Sequence, residues 1–188
     1  MHYFVIYKPY GYLSQFTPEK VGDLTLKDLY PFPSDVYPVG RLDKDSEGLL
    51  LLTNDVSMNH LILSPDKKWS KVYWVQLEGS ITDSAITKLS TSVSIRINGK
   101  IYNTKPCMVH SLNGEPNLPE RIPSIRFRKF LPTSWIEITI TEGKNRQIRK
   151  MCASVGFPVL RIVRVQIGKF KLDGMSPGEV ILLKNGYL

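Results

Sequence analysis

One stretch limits what this chain can fold into more than any other: residues 40–55, GRLDKDSEGLLLLTND. Four successive leucines, Leu49 to Leu52, follow a glycine-bounded turn. A short apolar run entered from a turn predicts a strand buried on both faces. The acidic residues just before it stand at the mouth of that strand, where a carboxylate is costly to keep charged without a partner or a task. Asp43 is the foremost of them, and Arg41 and Lys44 offer it counter-charge.

Three readings of this segment compete. In the first, Asp43, Asp45 and Ser46 make the local backbone hydrogen bonds typical of turns. In the second, Asp43, Asp45, Glu47 and Gly48 open a calcium loop. That reading fails further along, because the twelfth place is Asn54, the ninth is Leu51, and Pro31, Pro33 and Pro38 deny the loop an entering helix. In the third, Asp43 is a catalytic acid. Chemistry alone ranks the turn first, the catalytic acid second and the metal loop last.

The length of 188 residues suits one domain, or two closely joined lobes with a boundary near 60–70. The net charge of +8 fits a polyanionic partner and salt-sensitive association, although a basic surface kept for solubility explains it equally well. Cys107 and Cys152 are far apart and not in a C-x-x-C pattern, so two buried free thiols in a reducing compartment are expected. Cys107 and His110 have a metal-like spacing, but no second pair of ligands completes a site. Neither a leader nor a membrane-length apolar run is visible, which predicts a soluble cytoplasmic protein.

The remaining pattern is rich in strands. Tyr3–Tyr7 is a strand broken by Lys8-Pro9-Tyr10-Gly11, and one helical turn is expected near Leu24–Leu29. A short helix is expected over Val56–Leu63, then a strand over Val72–Glu78 at a sheet edge. Ser80–Ser90 reads as a helix capped by Thr82 or Asp83, with Ile86 and Leu89 inward. Short strands turning at Asn98-Gly99 fill Val93–Val109. Residues 112–134 carry four prolines, with Arg121, Arg126, Arg128 and Lys129, and predict a long loop suited either to RNA contact or to solvation. A strand over Trp135–Thr141 leads into a helix from Ile148 whose buried stripe is Ile148, Met151, Cys152 and Val155. At about 100° per residue, Arg146 and Lys150 fall opposite that stripe and Arg149 on its margin. Strands over Val159–Ile167, Phe170–Leu172 and Val180–Leu183 close the chain.

Three segments together resemble the RsuA-type pseudouridine synthases. Gly40-Arg41-Leu42-Asp43 with Glu47–Asp55 is similar to the family's signature, in which the Asp of G-R-L-D is the catalytic residue. Lys71-x-Tyr73 is similar to its second motif, and Glu142-Gly143-Lys144-x-x-Gln147-Ile148-Arg149-Lys150-Met151 to its third. Lys8-Pro9-x-Gly11 and the segment from Val163 to Gly168 resemble the first and closing motifs. The resemblance implies an α+β pseudouridine synthase fold, a long, mainly antiparallel mixed sheet flanked by helices and loops with a central catalytic cleft. The family's usual S4 module would precede residue 3, so the chain is expected to lack it. Together with residues 119–126, that points to the RluE-type branch, which modifies one uridine of large-subunit ribosomal RNA.

The same resemblance implies the roles of individual residues. Asp43 is the catalytic carboxylate, Tyr73 stacks on the uracil and handles protons, and Arg149 pairs with the aspartate. Ile162, with Leu160 beside it, lines the uracil pocket. RNA contact falls to Arg41, Lys144, Arg146, Gln147, Lys150, Arg126 and Arg128. Pseudouridine formation is an isomerisation, so no cofactor or metal is expected, and neither a phosphate loop nor G-x-G-x-x-G is present. The expected partner is ribosomal RNA, with no membrane, and the protein is expected to be a monomer. Two alternatives stand beside this reading: a non-catalytic RNA-binding or ribosome-assembly factor on the same fold, and a hydrolase that releases free uracil.

Overall fold

The structure is a computed structural model that describes residues 1–64, 69–125 and 131–183. The chain divides into two compact units, one formed by Met1–Trp69 with Arg164–Leu188 and the other by Ser70–Val163.

The first unit is built on strands β1 (Tyr3–Lys8) and β3 (Glu47–Thr53). They pair antiparallel with Phe4 opposite Leu52, Ile6 opposite Leu50 and Tyr7 opposite Leu49. A two-residue strand β2 (Tyr37–Pro38) adds to β3. Every residue of β3 is buried, as its leucine run demands. Successive side chains of a strand point to opposite faces, so only cover on both sides can bury all of them. One face is covered by a cluster of Phe4, Ile6, Leu26, Val36, Leu50 and Leu52, against which Phe16, Leu29 and Phe32 pack. Phe32 meets Phe4 edge-on at 5.1 Å between ring centroids, a favoured geometry for aromatic pairs. A 3-10 turn over Leu26–Asp28 carries Leu26 into that cluster.

Helix α1 (Val56–Leu63) follows β3 directly. Its N-cap, Asp55, accepts from the backbone N–H groups of Ser57 and Met58 and from the hydroxyl of Tyr3 at 2.7 Å. The Ser57 hydroxyl and the Tyr3 hydroxyl hold the Asp55 carboxyl down at about 2. The last acid of the signature is therefore a helix cap bound to β1, which satisfies otherwise orphaned donors of the first turn.

In the second unit, β4 (Lys71–Glu78) pairs with β8 (Thr133–Ile140), which pairs in turn with β7 (Met108–Leu112). These pairings are antiparallel, with Tyr73 opposite Ile138 and Val75 opposite Ile136, all four buried. A hairpin of β5 (Ser94–Ile97) and β6 (Lys100–Asn103) turns at Asn98-Gly99. Both turn residues have positive φ, 49° and 79°, as a two-residue hairpin turn of this hand requires. Helix α2 (Asp83–Ser90) packs on β7, and α3 (Gln147–Ser154) packs on β5. Strand β9 (Val159–Ile167) begins in the second unit and ends in the first, where β10 (Phe170–Lys171) pairs with it and β11 (Val180–Leu182) pairs with β1.

Most expected elements stand within a residue or two of their places, and α1 and β9 have the expected bounds. Some details differ. Strand β4 is interior, with β9 and β8 as neighbours, not a sheet edge. Its imperfect alternation reflects partly buried Val72 and Trp74 on the second face, where the Trp74 indole donates to Glu137 at 2.9 Å. Helix α2 is capped by Thr82 and buries Ala85 with Leu89, while Ile86 is only partly covered. Both cysteines are free thiols, but Cys107 is half-buried. Burial pushes the Cys152 thiol up to about 12. Among the described residues no helix is long and apolar enough to cross a membrane.

Candidate active site

The loop that carries Asp43 is clamped from the N-terminal turn. Leu42 is buried, and its N–H donates to Ser14 Oγ at 3.0 Å while its carbonyl accepts from the same hydroxyl at 2.8 Å. Two residues on, the Lys44 carbonyl accepts from the Gly11 N–H at 2.8 Å. Within the loop, the Ser46 N–H donates to the Asp43 carbonyl at 3.0 Å. Asp43 therefore sits half-buried on a backbone held before, at and after its own position. The turn reading and the catalytic reading are compatible, because the turn fixes where the carboxylate stands.

The expected counter-charges go elsewhere. Arg41 is exposed, donates to Gln15 at 2.8 Å and approaches Glu19 at 3.9 Å. Lys44 pairs with Asp23. One basic group coupled to Asp43 in this unit is Lys8, which the sequence pattern presented as the start of a turn and of the first motif. Lys8 is fully buried, and its Nζ donates to the carbonyls of Pro9 at 2.9 Å and Tyr12 at 2.8 Å. Burial drives its pKa down to about 7, against the pull of Glu47, Asp45 and Asp43, and nearby Arg164 lowers it further. Arg164, itself 3% exposed, donates from Nε to the Leu49 carbonyl at 2.8 Å. The Lys8 amine and the Arg164 guanidinium thus lie buried close to the signature strand, each donating to backbone carbonyls. A desolvated lysine favours its neutral form.

This arrangement predicts a pH dependence of stability. The Lys8 pKa is lowered from 10.5 to about 7 on folding, so between these values the unfolded chain binds more protons than the folded one. Stability should therefore rise with pH across that window, by at most roughly 1.4 kcal/mol per pH unit from this group. Urea midpoints measured for the wild type and Lys8→Met should show the rise in the wild type alone. Equal slopes for the two would refute it.

In the second unit, Tyr73 is buried on β4, with Ile138 as its cross-strand neighbour. Arg149 lies half-buried on α3, with Nη1 donating to the Val159 carbonyl at 3.4 Å. The helix starts abruptly. Its N-cap, Arg146, has φ 50° and ψ 34°, a left-handed conformation that costs energy for a residue other than glycine. Lys144, Asn145 and Arg146 are all exposed on that turn, and Lys150 Nζ reaches Asn145 at 3.3 Å. Gln147 is buried, and its amide is used inside the protein: its oxygen accepts from the Lys144 N–H at 3.0 Å and its nitrogen donates to Glu142. On β9, Leu160 and Ile162 share a face, the first half-buried and the second buried.

Residues 113–125 form no helix or strand, as expected of the proline-rich segment. Arg161, buried on β9, donates to the Pro119 carbonyl at 2.8 Å and so ties this segment to the strand. Arg126 and Arg128 lie outside the described residues. Among the described residues no group of three or more His, Cys, Asp or Glu side chains is placed to hold a metal ion.

A family model described as RNA pseudouridylate synthase matches residues 2–154, which include the Asp43 loop, β4 and all of α3. The chain belongs to the RNA pseudouridylate synthase family. Among its relatives, a ribosomal large subunit pseudouridine synthase E of Xanthomonas axonopodis pv. citri is 44% identical over 170 residues, covering 90% of this chain and 87% of that one. The protein of the same name from Vibrio vulnificus is 45% identical over 172 residues, covering 92% of this chain and 70% of that one. A solved structure, titled as the crystal structure of a pseudouridylate synthase, aligns with a TM-score of 0.78 at 26% identity, covering 97% of this chain and 70% of that one. The α+β pseudouridine synthase fold expected from the motifs is therefore present. As a pseudouridine synthase, the chain carries its G-R-L-D aspartate on the clamped loop and its Q-I-R arginine on α3.

Proposed function

We propose that this protein converts one specific uridine of large-subunit ribosomal RNA into pseudouridine, as a monomer, in the cytoplasm, without a cofactor. The observation that carries the choice of substrate is the 44–45% identity to large-subunit synthases over about nine-tenths of this chain. The net charge of +8 suits an RNA partner.

The reaction breaks the bond from uracil N1 to ribose C1′, turns the base, joins C5 to C1′, and moves the C5 proton away as N1 gains one. Atoms and electrons balance without a co-reactant. Asp43 supplies the ionised carboxylate close to C1′. Tyr73 places its ring on the uracil and its hydroxyl toward the proton that must leave C5. Arg149 holds the carboxylate ionised and oriented, a role suited to a planar guanidinium. Ile162 and Leu160 give the base an apolar wall. Lys144, Arg146, Lys150 and Arg41 are exposed or half-buried cations suited to phosphate. Their contacts offset the cost of withdrawing the uridine from its stack, about a few kcal/mol.

Unmodified large-subunit RNA, incubated with the protein and mapped by carbodiimide-dependent primer-extension stops, tests the reading. One new stop, with no free uracil released, is the expected result. RNA binding without any stop would instead favour a non-catalytic assembly factor.

A further inference from the structure

Three parts of the second unit converge on one carboxylate. Glu142 Oε2 accepts from the Tyr102 hydroxyl at 2.5 Å, and Glu142 Oε1 accepts from the Lys105 N–H at 3.0 Å and from Gln147 Nε2. Tyr102 belongs to β6 of the hairpin, Lys105 to the connection into β7, and Gln147 is the first residue of α3. The Tyr102 ring also lies under Lys144, whose Nζ is 5.1 Å from its centroid. The turn from Glu142 to Gln147 contains the left-handed Arg146. A strained backbone of that kind persists only where its surroundings over-determine it, and here the Glu142 bonds and the Lys144-to-Gln147 bond provide the hold. The direction in which α3 leaves this turn decides where Arg149, two residues beyond Gln147, presents its guanidinium.

We propose that Tyr102 is a positioning residue for catalysis: through Glu142 and Gln147 it fixes the first turn of α3 and with it Arg149. The inference rests on the role given to Arg149 above. The hydrogen bond to Glu142 pushes the Tyr102 phenol up to about 12, so the hydroxyl remains a donor throughout the neutral range. Nothing in the motif pattern marks Tyr102, because it is about 40 residues from Glu142 in sequence and meets it only through the hairpin.

Tyr102→Phe keeps the ring, the hairpin face and the Lys144 contact, and removes only the donated hydrogen bond. Single-turnover assays should show the rate of pseudouridine formation falling about 10- to 100-fold, the cost of a small misplacement of a catalytic group. RNA affinity and melting temperature should stay near those of the wild type. Because a positioning residue acts through another, the decisive measurement is a double-mutant cycle with Arg149→Ala at high enzyme concentration. Tyr102→Phe should slow the reaction in the wild-type background and add little in the Arg149→Ala background. An equal fall in both backgrounds, or none in the wild type, overturns the proposal while Arg149 keeps its role if its own variant is slow. Wild-type rates for Arg149→Ala would overturn the role of Arg149 and the proposal with it. Should Tyr102→Phe fold poorly, Glu142→Gln provides the second variant; it should retain more activity than Glu142→Ala, whereas equal losses would refute the hydrogen-bonded hub.

Discussion

Asp43→Asn is expected to abolish pseudouridine formation, by more than about a thousandfold, while RNA binding and melting temperature remain close to wild type. The amide matches the carboxylate in size and cannot act as its anion. The loop that holds residue 43 depends on backbone groups of Leu42, Asp43 and Lys44 and on the Ser14 hydroxyl, none of which the substitution removes. Fold and function are therefore separable at this position. A gel-shift titration beside a single-turnover assay would show unchanged affinity and no product. Turnover at the wild-type rate would remove Asp43 from the mechanism.

Gly48→Ala should be among the most destabilising single substitutions in the chain, although it adds one methyl group. Gly48 has φ +108°, a conformation that strains any residue with a side chain. A Cβ there would also collide with the backbone of Arg164, approaching its nitrogen to 2.6 Å and its carbonyl oxygen more closely still. Backbone atoms cannot swing aside as a flexible side chain can, so β9 would have to move away from β3. Strain and displaced packing together should cost about 3–5 kcal/mol, a fall in melting temperature of roughly 10 °C for a chain of this size. The buried guanidinium of Arg164 and the buried Lys8 side chain would shift with it, so activity should fall beyond the loss of folded protein. A melting temperature within a degree or two of wild type would show that the two backbones have room to separate. Ala at the exposed Gly143, which lacks a positive φ and has open space about its Cβ, provides the control.

The elements that were legible in the sequence share a property: their signal lies within ten residues. Four leucines after a turn predict a strand covered on both faces, and β3 is buried throughout. The Asn98-Gly99 pair predicts its hairpin, and the apolar spacing after Gln147 places Ile148, Met151 and Cys152 inside α3. Asp43, Tyr73 and Arg149 could be singled out because each stands in a short motif of fixed spacing. The partners of Arg41 and Lys44 were not legible. Arg41 and Lys44 are adjacent in sequence but turn to Gln15, Glu19 and Asp23, because exposed charges settle on whichever partners the surface brings near. The edge placement of β4 failed for a related reason. Alternation reports how one strand is covered, not which strands flank it.

By itself, then, the sequence determined the chain's local conformations and its family and singled out Asp43 as the candidate for the catalytic role, since turn chemistry, periodicity and motif spacing are properties of contiguous residues. Only the tertiary structure decided that the Lys8 and Arg164 side chains are buried beside the signature strand, and that Tyr102 and Glu142 brace the first turn of α3. Burial and long-range hydrogen bonds depend on which distant segments the sheet and hairpin bring together. A buried lysine and an exposed one look the same until the fold places carbonyls or water around its ammonium.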